Sequence, residues 1–194
     1  PVKLAAMEGQ FKTERGAPLR IGGWPDESRQ ETRFALEIPY ALSFLAFHDP
    51  HAEVQGLDVV PPADRPPVAV VHLAFQVMVA CGTAMAAVAV LGGWLWFRRR
   101  LLPDARWFLR LVVLSGPLGF LALEAGWTVT EVGRQPWVIR GVMRTAEAVT
   151  PMPYLVVPFT VFSLLYLVLG LVVVLLLRRQ VFASPELPAP GEES

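Results

Sequence analysis

Cysteine is almost absent from this chain of 194 residues, which contains a single one, Cys81. An intramolecular disulfide needs two cysteines, so none can form within the sequence. The same scarcity excludes zinc or iron–sulfur sites built from several cysteines. Cys81 lies inside a long apolar run, where we interpret it as a small buried thiol.

Excess charge of either sign is absent as well. Lys and Arg number 17, Asp and Glu number 17, and the formal net charge is zero. No basic stripe interleaved with aromatic residues is present, so the sequence does not support a nucleic-acid partner. No signal peptide precedes the first apolar run, and residue 1 is proline rather than methionine. We therefore expect this to be part of a longer chain.

Hydrophobic residues, in contrast, make up 54% of the chain. Three long apolar runs cover residues 69–97, 105–132 and 154–177. A helix of about 29 residues is roughly 43 Å long, more than the ~30 Å hydrocarbon core of a bilayer. We predict an all-α membrane protein with three transmembrane helices, and Pro117 as a kink in the second.

The segments between these runs are polar and rich in breakers. Residues 1–68 carry both signs of charge and many glycines and prolines, which predicts an outward-facing, partly irregular loop region. A helical piece is predicted at residues 31–47, where apolar residues recur at helical spacing around Pro39. Residues 133–153 form a polar connection, and residues 178–194 are predicted to be a disordered tail.

Basic residues set the expected orientation. Most of those that flank the spans fall on one side, namely Arg98, Arg99, Arg100, Arg106, Arg178 and Arg179. The positive-inside rule makes that side and the carboxy terminus cytoplasmic, although three arginines in the opposite connection weaken the bias. Residues 1–68 and 133–153 are then extracytoplasmic. Residues 72–78 and Glu131 are expected at similar depth near the outer surface.

One stretch near the end of the second span carries unusual side chains. Helical geometry places Glu124, Trp127 and Glu131 on one stripe, because they are spaced i, i+3 and i+7. Gly133 and Pro136 are predicted to end the helix. An ionisable group inside a membrane helix costs several kcal/mol unless it has a partner, so its default interpretation is functional.

A methionine, a carboxylate and tryptophans at one depth suit haem better than a small ion, because thioether sulfur is a soft ligand. Each residue also has a simpler interpretation. Met78 fits a lipid-facing position, Glu131 fits an ion pair with Arg134, and His72 fits a hydrogen-bonding residue at the interface. Met78 and His72 share a helix, so they cannot clamp one haem between them.

Several blocks resemble the carboxy-terminal part of subunit I of the cytochrome bd-type quinol oxidases. Residues 1–9 (PVKLAAMEG) resemble the start of the quinol-binding loop, and residues 75–79 (FQVMV) resemble the block with a haem-ligating methionine. Residues 124–127 (EAGW) followed by residues 133–137 (GRQPW) resemble the most specific signature of the family. Residues 38–46 (IPYALSFLA), with the short distance from the first block to the second, most resemble the short-loop, cyanide-insensitive branch.

The resemblance implies roles for individual residues. Lys3 and Glu8 match positions that bind and oxidise quinol, and Met78 matches an axial ligand of the low-spin haem b. Glu131 matches the carboxylate ligand of one of two high-spin haems. Trp127, one turn earlier, would pack against the haem plane. From charge we add Arg134 as a partner for a haem propionate.

The resemblance also implies cofactors and partners. The cofactors are low-spin and high-spin haem b and haem d or a b-type substitute, with membrane quinol and oxygen as substrates. Subunit II and the amino-terminal helices of the same subunit are expected partners, in the lipid bilayer of a bacterial plasma membrane. Gln76 stands where some members have arginine. The loss of that positive charge should lower the reduction potential of the low-spin haem. This chain alone is not expected to turn over.

Two other classes of function remain. A non-catalytic or split membrane scaffold subunit would retain the spans without the chemistry. An ion or solute transporter would explain a buried Glu131, but it gives no reason for the blocks that contain Lys3, Glu8 and Met78.

Overall fold

The computed structural model describes residues 2–99, 106–149 and 151–182. The part of the predicted disordered tail beyond residue 182 lies outside these residues. The chain divides into two compact units, Pro1–Val149 and Thr150–Ser194, which are treated separately below.

Five α-helices are present in the described ranges: α1 Val2–Glu8, α2 Ala41–Phe47, α3 Val68–Arg99, α4 Arg106–Val132 and α5 Val156–Phe182. Of these, α3, α4 and α5 are long and apolar enough to cross a membrane, which confirms the prediction of three transmembrane helices. Pro117 lies inside α4, and the helix continues on both sides of it. Helix α5 continues to Phe182, so residues 178–182 are helical and the disordered tail predicted from residue 178 is wrong over these five residues. Arg178 and Arg179 are compatible with this longer helix, because cations are favourable at a helix carboxy terminus.

Eight short strands accompany the helices in the described ranges: β1 Glu14–Arg15, β2 Leu19–Ile21, β3 Trp24–Asp26, β4 Glu31–Arg33, β5 Leu36–Ile38, β6 Glu53–Val54, β7 Trp137–Ile139 and β8 Met143–Arg144. They form four antiparallel pairs, β1 with β6, β2 with β5, β3 with β4 and β7 with β8. The sequence analysis did not predict these pairs, because two or three residues carry no alternation that could be recognised.

The helix predicted over residues 31–47 is wrong in its first half. That half forms β4 and β5, and only Ala41–Phe47 is helical. Phe34 and Tyr40 have φ values of 59° and 63°, in the left-handed region that interrupts a right-handed helix. Pro39 also disfavours helical backbone in the residue before it. The apolar spacing therefore reflects two local structures rather than one helix.

Helices α3 and α4 pack against each other along a seam with a repeat of seven residues on α3. Going down the seam, the facing pairs are Val71 with Val129, Met78 with Gly126, Met85 with Gly119 and Gly92 with Phe108. Each of the last three pairs sets a large side chain against a glycine. A Cβ at Gly92 would lie 2.8 Å from the Phe108 ring. Small residues that admit large neighbours are typical of helix contacts in membranes.

The loop region, residues 2–67, packs over the end of this seam where α3 begins. Ala6 of α1 is buried against Val71 and Val129. Its neighbour Ala5 belongs to a second cluster, with Phe11, Leu57 and Val68. Helix α1 is therefore fixed on both α3 and α4.

Gly56 is a position where the loop region leaves no space for a side chain. Its Cβ would lie 2.6 Å from the Lys12 carbonyl oxygen and 2.7 Å from the Thr13 backbone nitrogen. We expect Gly56→Ala to lower the thermal unfolding midpoint of the intact protein in detergent, at a cost of about 1–3 kcal/mol. Gly82→Ala is the control, because a Cβ there meets nothing within 4 Å. Equal midpoints for the two variants would contradict the packing described here.

Candidate functional site

Lys3 and Glu8 both lie on α1, but they do not share a pocket. Five residues separate them, which corresponds to about 140° around a helix and about 7.5 Å along its axis. Lys3 is partly buried and borders a cavity beside the end of α4. Glu8 is buried on another side of α1.

The cavity beside Lys3 has a volume of about 220 Å³. The aliphatic stem of Lys3 crosses Gly133, where a Cβ would lie 3.3 Å from the Lys3 Cε atom. The cavity is lined by Val2, Lys3, Asp64, Pro66, Thr130, Gly133, Arg134, Gln135, Trp137 and Arg140. Three cationic side chains beside an indole ring suit a ligand with anionic or strongly accepting oxygen atoms.

Asp64, the carboxylate that lines this cavity, already forms an ion pair. Arg144 donates a hydrogen bond of 2.6 Å from Nη2 to Oδ1 of Asp64, and its guanidinium lies 4.9 Å from the centre of the Trp137 ring. Among the residues that the structure describes, neither Lys3 nor Arg134 forms an ion pair. Both cations therefore remain available to a ligand.

Glu8 is 4% exposed, and its Oε2 atom has no hydrogen-bond partner. Burial raises the pKa of this carboxyl to about 7, against the opposing attraction of the Arg20 guanidinium. A carboxyl with such a pKa can exchange a proton near neutral pH, which an exposed glutamate does not do.

Arg20 is the centre of a polar network beside Glu8. Its Nε lies 2.9 Å from Oε1 of Glu37, and its Nη2 lies 3.5 Å from Oε1 of Glu14. Arg20 also donates from Nη1 to the side-chain oxygen of Gln10. A polar cavity of about 320 Å³ adjoins these groups. Arg20 could not be recognised from the sequence, since nothing in a loop of mixed charge distinguishes this partly buried cation from the others.

Two residues of α3 hold the loop region by hydrogen bonds. His72 is fully buried, and its ring nitrogens lie 2.8 Å from the Met7 carbonyl oxygen and 3.0 Å from the Gly22 carbonyl oxygen. Gln76 binds the backbone of Arg20 and Gly22. The interpretation of His72 as a hydrogen-bonding residue agrees with these contacts.

Met78 lies in the seam. Its Sδ is 3.1 Å from the position that a Cβ would take at Gly126 of α4. Met78 is only partly buried, and it is packed between helices rather than turned fully to lipid.

The stripe of Glu124, Trp127 and Glu131 on α4 does not face the seam with α3. Glu124, Trp127 and Glu131 are exposed in this chain, Trp127 by 61%. Glu131 is five residues beyond Gly126, about 140° around the helix from the side that meets Met78. Within the described ranges Glu131 makes no ion pair, so the interpretation of Glu131 as paired with Arg134 is wrong.

These two donors fit haem in chemical type. A thioether and a carboxylate can each serve as one axial ligand to iron, and the carboxylate of Glu131 is not engaged by another described residue. Met78, on α3, meets the Gly126 side of α4, whereas Glu131 lies on another side of α4. The two donors therefore fit two separate groups rather than one.

Residues 1–185 match the family model for cytochrome bd terminal oxidase subunit I. The chain belongs to this family. The putative cytochrome bd menaquinol oxidase subunit I of Bacillus subtilis (strain 168) is 38% identical over 91% of this chain and 40% of its own length. The cytochrome bd ubiquinol oxidase subunit 1 of the same organism is 32% identical over 96% of this chain and 42% of its own length.

A solved structure agrees with this assignment. The bd oxidase from Geobacillus thermodenitrificans matches with a TM-score of 0.78 and 42% identity, over 95% of this chain and 42% of the solved one. This member of the cytochrome bd subunit I family thus spans about two fifths of the length of the relatives that it matches.

The burial of Glu8 predicts an unusual titration. In the assembled protein, we expect the infrared band of its protonated carboxyl to persist until about pH 7, and to be missing in Glu8→Gln. Folding raises the pKa of Glu8, so the contribution of this carboxyl to the free energy of unfolding is fully present below pH 4.5. That contribution is lost as the pH rises towards 7. The loss is on the order of 3 kcal/mol. A titration midpoint near 4.5 would show that Glu8 is hydrated.

Proposed function

We propose that this chain is the carboxy-terminal part of subunit I of a terminal quinol oxidase, and that quinol is oxidised at the loop region. Two relatives, a putative menaquinol oxidase subunit and a ubiquinol oxidase subunit, support this activity. The amino-terminal helices of subunit I and a subunit II would complete the enzyme, which would reduce oxygen to water. The chain alone would not turn over.

The observation that carries the proposal is the buried carboxyl of Glu8, which has an unpaired oxygen and a pKa of about 7. Oxidation of a quinol releases hydroxyl protons, and a base with a pKa near the working pH accepts them efficiently. Lys3 would hold a quinol oxygen or the anion that develops on it. Glu8 and Lys3 thus have separate roles on two sides of α1.

Met78 and Glu131 would hold the haems. Met78 would ligate the low-spin haem b, and Glu131 a high-spin haem b, haem d or b-type substitute. Trp127 would pack against the macrocycle on the same stripe of α4, and Arg134 would pair with a propionate. When bound, the haems supply one-electron transfer and the reduction of oxygen. Two observations support the assignment of Met78 and Glu131 to different haems. The carboxylate of Glu131 has no partner among the described residues, and it lies on a different side of α4 from the side that Met78 contacts.

The location follows from the same proposal. The enzyme would lie in a bacterial plasma membrane, with the loop region and residues 133–153 extracytoplasmic and the carboxy terminus cytoplasmic. Asp64 and Arg144 join the loop region to residues 133–149, which supports their placement on one side.

In the complete oxidase, Glu8→Gln should reduce quinol turnover by at least about a hundredfold, the usual contribution of a positioned base. The haem content should not change. Wild-type turnover should rise with pH through about 7, as Glu8 ionises. Glu53→Gln is the control, because Glu53 forms an exposed pair with Arg15. Wild-type turnover in Glu8→Gln would refute the assignment of the base.

Met78→Leu should remove the low-spin haem band from the reduced-minus-oxidised spectrum, and quinol oxidation with it, because leucine has no donor atom for iron. Met85→Leu is a matched control. Met85 lies two turns further along α3, and its Sδ is 3.9 Å from a Cβ position at Gly119 in the same seam. If both variants keep the band, Met78 is not a ligand.

A further inference from the structure

His72 presents both ring nitrogens to backbone carbonyl oxygens, those of Met7 at 2.8 Å and Gly22 at 3.0 Å. A carbonyl oxygen only accepts hydrogen bonds, so either neutral tautomer of the ring can donate from one nitrogen to one of these two oxygens. Met7 directly precedes Glu8 in α1. One side chain of α3 therefore ties the residue before Glu8 to the turn after β2.

Gln76 lies one turn further along α3 and uses both ends of its amide. Its Oε1 accepts a hydrogen bond of 3.0 Å from the Gly22 backbone nitrogen, and its Nε2 donates one of 3.0 Å to the Arg20 carbonyl oxygen. Arginine, which has no acceptor, could not make the first contact. The amide thus fixes the backbone of the cation that attracts Glu8.

The other side of Glu8 is held by the β3–β4 pair. The Thr32 hydroxyl donates a hydrogen bond of 2.8 Å to the Gly9 carbonyl oxygen. Gly9 has φ of +61°, and a Cβ there would clash with the Thr32 hydroxyl and approach His72 Nδ1 to 3.4 Å. The backbone on both sides of Glu8 is consequently anchored.

We propose that His72 and Gln76 form a clamp that positions Glu8 against Arg20 for quinol oxidation, and that links the quinol-oxidising loop to the helix carrying Met78. Both are positioning residues, since neither is placed on the quinol itself. The inference rests on the proposed function of Glu8.

The test uses the complete oxidase with His72→Phe and Gln76→Leu, which remove the hydrogen bonds while keeping an apolar side chain of similar size. Each variant should lower kcat by roughly tenfold, the effect of losing one or two buried hydrogen bonds, with KM nearly unchanged. The acid limb of the pH–rate profile should move to lower pH, because water that reaches Glu8 removes its desolvation. Haem content and the low-spin band should be retained.

Two further variants sharpen the test. His72→Asn can place one N–H donor near the position of Nδ1, so it should recover part of kcat and of the acid limb. Ser43→Ala is the matched control, because Ser43 is another buried clamp, with Ala17 N donating at 2.8 Å and Ala52 O accepting at 2.9 Å. Ser43 lies away from Glu8, so Ser43→Ala should leave the acid limb of the pH–rate profile unchanged.

The outcomes separate the two proposals. If Glu8→Gln loses turnover but His72→Phe and Gln76→Leu keep the wild-type kcat and acid limb, the clamp is refuted and the base remains. An equal shift in Ser43→Ala also refutes the clamp, as does loss of the low-spin band in Gln76→Leu. Should His72→Phe fail to assemble, Gln76→Leu decides. Normal turnover in Glu8→Gln overturns the proposed function itself.

Discussion

The seam between α3 and α4 is the contact on which the rest of the first unit depends. Glycines at three of its levels accept Met78, Met85 and the ring of Phe108, so the two helices approach closely over their whole length. In a membrane such packing rests on van der Waals contact rather than on exclusion of water. The seam also decides which side of α4 is left for Trp127 and Glu131.

The loop region packs on the same two helices, at the end of the seam where α3 begins. Ala6 of α1 fills the space over Val71 and Val129, so the helix that carries Glu8 is seated on the seam. Burial of Glu8 is costly for a charged carboxylate, and this cost is what raises its pKa towards neutrality. The packing of α3 against α4 and the raised pKa of Glu8 are therefore linked through α1.

The spans could be predicted from the sequence because a long apolar run has few alternatives, and three of the helices match the three runs. The α4 stripe followed from spacing alone. The family blocks drew attention to Lys3, Glu8 and Met78. The structure brings Lys3 next to Arg134 and keeps Glu8 apart from both. The spacing of Lys3 and Glu8 along α1 already implied that these two residues lie on different sides of the helix.

The rest required contacts between residues far apart in the chain. His72 meets Met7 across 65 positions, and Gln76 meets Arg20 across 56. No local pattern predicts which backbone groups meet such side chains. The failed helix over residues 31–47 shows the same limit, because positive φ at Phe34 and Tyr40 overrides apolar spacing. The alternative interpretation of Glu131 as paired with Arg134 failed because α4 ends at Val132, so helical spacing does not extend to Arg134.

On the proposed function, α4 separates two haem-binding directions, with Met78 of α3 on its seam side and Glu131 on another side. A density map of the intact, haem-loaded assembly tests it most directly. The account predicts that the Met78 Sδ and a Glu131 carboxylate oxygen each approach a different haem iron, with Trp127 against the second macrocycle. Both side chains turned away from any macrocycle, or both at one iron, would contradict it.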